Sequence, residues 1–88
     1  MTALLIGYQP AFIRMYKKLP PSLQAEVRDR IQLFVTDPRN TSLRVHKLKG
    51  KLKEMWSFSV NYDYRVVFEY KAKESVMLLA VGNHQVYE

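Results

Sequence analysis

His46 and His84 are the only histidines of the 88-residue chain, and each stands beside groups that suit acid–base chemistry on an anion. Histidine is the side chain that exchanges a proton near neutral pH, so two of them can supply the base and the acid of one reaction. His46 lies in residues 43–53, LRVHKLKGKLK, where Arg44, Lys47, Lys49, Lys51 and Lys53 occur with no acid. Arg65 lies in the strand-like run YRVVFEY, and His84 follows the apolar run VMLLAV. Metal-free RNA cleavage needs this kind of set. A base removes the 2′-hydroxyl proton, cations stabilise the crowded phosphorane, and an acid protonates the departing 5′-oxygen. DNA has no 2′-hydroxyl, so such a site would act on RNA alone.

Each residue also has a plainer reading. A charge run is commonly a solvated loop, although Val45, Leu48 and Leu52 would tether this one to a core and Gly50 would let it turn tightly. A tethered cationic loop holds phosphates and sets register without reading sequence. For Arg65 two readings stand: an ion pair with Glu69, two pleats along the same face, or a rigid guanidinium clamp on a phosphate. Tyr62, Tyr64, Tyr70 and Tyr87 suit base stacking or core and hairpin pairing. Tyr87 is set apart by its place beyond the final strand, next to last in the sequence.

The elements that must position these groups follow from periodicity. Leu4, Ile6 and Tyr8 alternate with Leu5 and Gly7 as in a short strand, and Pro10 punctuates it. Phe12, Met15, Tyr16 and Leu19 mark one face of a short helix that stops before Pro20 and Pro21. A second helix begins near Pro21 or Ser22, carries Leu23, Val27, Ile31, Phe34 and Val35 on one stripe, and ends at Asp37-Pro38-Arg39-Asn40. The period then becomes two. Strands are predicted over 55–61, 64–71 and 76–81, joined by short turns at 61–63 and 72–75, so they form an antiparallel meander. The resulting class is α+β, order β-α-α-β-β-β, with two N-terminal helices packed on one face of a small twisted antiparallel sheet.

Length and composition set bounds. The 88 residues form one domain, 1–88, whose site must lie on the surface of a single modest core. A net charge of +6 and a pI near 9.7 favour polyanionic partners: nucleic acid, an acidic protein or an anionic surface. No cysteine is present, which excludes disulfides and thiolate chemistry and fits a reducing cytoplasm. The apolar run 3–6 is too short for a signal-peptide core or a membrane span. Neither histidine has the spacing of a metal-ligand motif, so no metal or other cofactor is expected.

HKLKG, then WSFSV, YRVVF and LLAVGNHQVYE, in that order and spacing, resemble the RelE/ParE superfamily of bacterial toxins, nearest its YafQ-like and YoeB-like mRNA interferases. The resemblance spans almost the whole chain, with the specific motifs within residues 46–87. It implies a toxin of a type II toxin–antitoxin module that cleaves mRNA at the ribosomal A site and is silenced by a cognate antitoxin in a toxin–antitoxin hetero-oligomer. It also implies His46 as general base, Arg65 on the scissile phosphate, His84 as general acid and Tyr87 as the terminal aromatic that orients substrate. Lys47, Lys49, Lys51 and Lys53 would hold RNA phosphates, Lys49 foremost. Related sequences read G-x-W and G-x-H-D where this chain has Glu54-Met55-Trp56 and Gly82-Asn83-His84-Gln85. These departures put an acid beside the cationic loop and remove an orienting partner for His84. The alternatives are a ParE-like inhibitor of DNA gyrase and a non-catalytic RNA- or protein-binding domain on the same scaffold.

Overall fold

Proline sets where both helices begin, and a computed structural model describing residues 4–49 and 54–83 places each at a first helical position. Strand β1 (Leu5–Tyr8) leads into helix α1 (Pro10–Lys17), and α2 runs over Pro21–Thr36. Pro10 therefore opens α1 rather than merely closing β1, because a missing N–H costs nothing in the first turn. Gln24 of α2 reaches back to the end of α1, donating to the carbonyls of Tyr16 at 3.1 Å and Leu19 at 3.1 Å. Leu19 N also donates to Tyr16 O at 3.0 Å, so the Gln24 amide adds to the backbone closure of α1 and ties α2 to it.

A 3₁₀ turn, Thr41–Leu43, follows α2 and is capped by Asn40, whose side chain accepts from Ser42 N at 3.0 Å. The rest is sheet: β2 (His46–Lys47), β3 (Trp56–Ser59), β4 (Arg65–Ala72) and β5 (Ser75–Gly82). The strand order is β1-β5-β4-β3-β2. The meander β3-β4-β5 is antiparallel as predicted, and β2 adds antiparallel to β3. β1 pairs parallel with β5, so the sheet is mixed rather than wholly antiparallel. The helical pair makes that possible, since a parallel neighbour needs a long crossover and α1 with α2 begins one.

Alternation in the strands sorts the two faces. Phe58, Val66, Phe68, Val76, Leu78 and Val81 join the core with Phe12, Leu23, Val27 and Phe34 of the helices. Phe34 is its centre, with ring centroids 4.6 Å from Phe58 and 4.9 Å from Phe68. The opposite face carries the register partners His46 and Ser57, Ser57 and Val67, Ser59 and Arg65, and Arg65 and Gly82. That second face is where the candidate chemistry gathers.

Candidate active site

His46 is held by its neighbours in a defined orientation. Its Nδ1 lies 2.8 Å from the carbonyl oxygen of Arg44, which can only accept, so Nδ1 carries the proton of the neutral ring and Nε2 keeps its lone pair. The Ser57 hydroxyl, on the register partner, lies 3.5 Å from Nε2 and is positioned to donate to it. Arg44 sits at φ 51°, a left-handed turn by which the chain leaves the 3₁₀ segment, and buried Leu43 anchors that turn in the core. The local sequence thus fixes the ring's orientation: an anchored turn supplies the carbonyl and a two-residue strand supplies the imidazole.

Arg65 opens β4 and is opposite Ser59 on one side and Gly82 on the other. His46 and Arg65 are two strand spacings apart across the sheet and one two-residue step apart along it. With strands ~4.8 Å apart and ~3.3 Å per residue, their Cα atoms are about 12 Å apart, a gap that an arginine and a histidine on one face can close around a phosphodiester. Glu69, the acid considered as a partner for Arg65, forms an ion pair with Lys71. His84 and Tyr87, which follow Gly82 in the sequence, lie outside the described residues, as do Lys51 and Lys53.

Of the described lysines, Lys47 is on β2 and Lys49 is exposed just beyond it. Lys47 Nζ lies 4.0 Å from Glu54, with 51% and 81% of the two side chains exposed, so the acid only brushes the lysine. Glu54 itself has φ 77°, a left-handed conformation that suits glycine and strains any other side chain. The β2–β3 hairpin closes through Leu48 N to Met55 O at 2.8 Å. Val45 packs on the core and Leu48 is half-buried, as tethering requires, while Leu52 and Gly50 lie outside the described residues.

The tyrosines divide cleanly. Tyr64 packs on the core, and Tyr70 packs edge-on against Trp56 and Phe68, with partial burial raising its hydroxyl pKa above the ordinary value near 10. Tyr62 is 85% exposed at the tip of the β3–β4 turn. Asn61 makes that turn by accepting from the backbone N–H of Asp63 and Tyr64, both at 2.9 Å.

One cation, Arg30, escaped the sequence reading, and another, Arg44, was read only as one charge of a run. A cleft of about 480 Å³ is lined by Arg30, Arg44 and Arg65 together with Ser42, Ser59, Val60, Asn61 and Tyr62. Arg30 is clamped in it, Nε donating to Ser59 O at 3.2 Å and Nη2 to Ser42 O at 2.6 Å. The signal was present, because Arg30 stands at i+3 from Val27 and i−4 from Phe34, on the buried stripe of α2. A cation on an apolar stripe has a purpose beyond solubility.

Among the described residues no three His, Cys, Asp or Glu side chains gather as a metal site would require. No described helix is long and apolar enough to cross a membrane. A family model for HigB-like toxins, RelE-like toxins of type II toxin–antitoxin systems, matches residues 14–84. The chain belongs to this family. The toxin has the fold of YafQ from Escherichia coli BL21(DE3), at TM-score 0.78 and 14% identity over 96% of this chain and 97% of that one. The YoeB/ParE toxin of Agrobacterium tumefaciens superposes at TM-score 0.74, 14% identical over 92% of this chain and 99% of the other. The E. coli DinJ–YafQ toxin–antitoxin complex matches at TM-score 0.76, 16% identical over 96% of each chain. No curated protein sequence matches the toxin.

Proposed function

We propose that the toxin is an endoribonuclease that cleaves mRNA at the ribosomal A site by attack of a 2′-hydroxyl on the adjacent phosphate. What supports this most is one juxtaposition: His46, with Nε2 bearing the lone pair, and Arg65 occupy the same sheet face beside an acid-poor cationic hairpin. Nε2 of His46 takes the 2′-hydroxyl proton, and the oxygen so freed bonds to phosphorus. Arg65 neutralises the charge that builds on the phosphorane oxygens, where a planar two-pronged donor suits two oxygens at once. The 5′-oxygen leaves with a proton from His84, and the products are a 2′,3′-cyclic phosphate and a 5′-hydroxyl. Tyr87 orients the substrate, and Lys47, Lys49, Lys51 and Lys53 hold its phosphates. No step requires a metal ion.

A cytoplasmic setting and a cognate antitoxin complete the reading. The family is one of toxin–antitoxin toxins, and YafQ is found with DinJ in such a complex. The partner that silences this toxin covers the His46 and Arg65 face with acidic and apolar side chains. The test adds purified toxin to a translating extract and maps new mRNA 5′ ends. Cleavage within codons of stalled ribosomes is expected, lost by about 10²- to 10⁴-fold in His46→Gln. Intact mRNA together with blocked DNA supercoiling would contradict the proposal and select the gyrase-directed alternative.

A further inference from the structure

The three-arginine cleft shares two residues with the candidate site already described. Arg65 lines the cleft and lies on the sheet face, and Arg44 lines the cleft while its carbonyl orients His46. Among the described residues the lining consists of three arginines, two serines, an asparagine, a valine and a tyrosine, with no carboxylate. Glu26 comes to its margin, where it accepts from Asn61 Nδ2 at 3.1 Å. A lining so rich in cations attracts an anion. Arg30 is already fixed by three contacts to Ser42 and Ser59, so a ligand does not have to order it.

Size and shape narrow the ligand. At about 480 Å³ the cleft falls within the ~300–1,000 Å³ range of small-molecule sites and is larger than a phosphate alone needs. Tyr62 stands 85% exposed at its rim on a turn held by Asn61, a flat apolar surface beside the cations. A phosphate on arginines next to an exposed aromatic ring is the recognition pattern of single-stranded nucleic acid. We infer that the Arg30–Arg44–Arg65 cleft with Tyr62 is a nucleotide subsite, which holds the phosphate of an RNA nucleotide flanking the cleaved bond and stacks its base on Tyr62. RNA as the ligand rests on the function proposed above. The subsite positions the strand so that the bond on the His46 side of Arg65 is the one presented.

The test is binding of the full chain to a short 2′-O-methyl oligoribonucleotide, which lacks the attacking hydroxyl and stays uncleaved. Affinity is measured by fluorescence anisotropy across a salt series. Arg44→Gln should weaken binding about 10-fold and lower the slope of log K against log salt by about 0.7, the value for one lost phosphate contact on a single strand. Tyr62→Leu should weaken binding by about 10-fold with the slope unchanged, since stacking releases no counterions. Arg14→Gln, on α1 and outside the cleft lining, controls for lost net charge and should leave the affinity within about 2-fold. Equal effects of Arg44→Gln and Arg14→Gln, or none from Arg44→Gln and Tyr62→Leu, would overturn the subsite. The nuclease reading fails separately: a wild-type toxin that leaves mRNA intact in the extract, while these variants shift binding as stated, retains the subsite and loses the reaction.

Discussion

Replacing Glu54 with glycine should stabilise the toxin, although it removes an ion pair. Glu54 holds φ 77° where the hairpin carrying His46 and Lys47 joins β3. A side chain in that left-handed region costs about 1–2 kcal/mol. Glycine relieves this cost but brings more unfolded-chain entropy, about 0.5–1 kcal/mol. The Lys47 contact, at 4.0 Å between largely exposed groups, offsets almost nothing. Alanine separates these effects, because Glu54→Ala loses the same ion pair and keeps the strained backbone. Glu54→Gly should therefore exceed Glu54→Ala by about 0.5–1 kcal/mol, or roughly 2–8 °C in Tm for a domain of this size. Thermal unfolding followed by circular dichroism, with urea titrations as a second measure, reads the difference. An alanine variant as stable as the glycine variant would refute the reasoning.

Phe34→Ala, which opens a cavity between Phe58 and Phe68, should lower stability by about 3–5 kcal/mol in urea denaturation. Ser57→Ala should keep mRNA cleavage within about 10-fold of wild type, far above the 10²- to 10⁴-fold loss for His46→Gln, because the serine hydroxyl occupies Nε2 only until substrate replaces it. Equal losses in the two variants would make Ser57 part of the chemistry. Burial raises the Tyr70 pKa, so its stabilising contribution is complete below the unfolded-state value near 10 and is lost as pH rises through the higher folded-state value. Tyr70→Phe should accordingly unfold less steeply than wild type in alkaline titrations above pH ~10.

Local pattern carried the helices and the meander, since both depend on periods that run for several residues. It failed where structure is short or long-range. β2 has two residues, too few to show any period, so a strand inside a lysine-rich run reads as loop. The parallel seating of β1 against β5 joins residues about seventy positions apart, and nothing within either strand specifies it. The site was legible in type more than in extent. His46 and Arg65 stood out because a histidine among lysines and an arginine inside a strand are locally anomalous. Arg44 was read only as one charge among five, whereas its backbone orients His46. Arg30 was hidden by treating α2 as an apolar stripe and passing over the cation on it. Tyr62 was grouped with Tyr64 and Tyr70, and only the fold separates the ring at the turn tip from Tyr64 on the core and Tyr70 against Trp56 and Phe68.

The chemistry of the cleaved ends tests most directly whether His46 delivers a 2′-oxygen to the phosphate that Arg65 holds. Messenger fragments released in a translating extract should carry a 2′,3′-cyclic phosphate, or the 3′-phosphate formed when it opens, on the upstream piece and a 5′-hydroxyl on the downstream piece. Downstream fragments bearing a 5′-phosphate would mean that water, not the 2′-hydroxyl, attacked phosphorus, and would contradict the role assigned to His46.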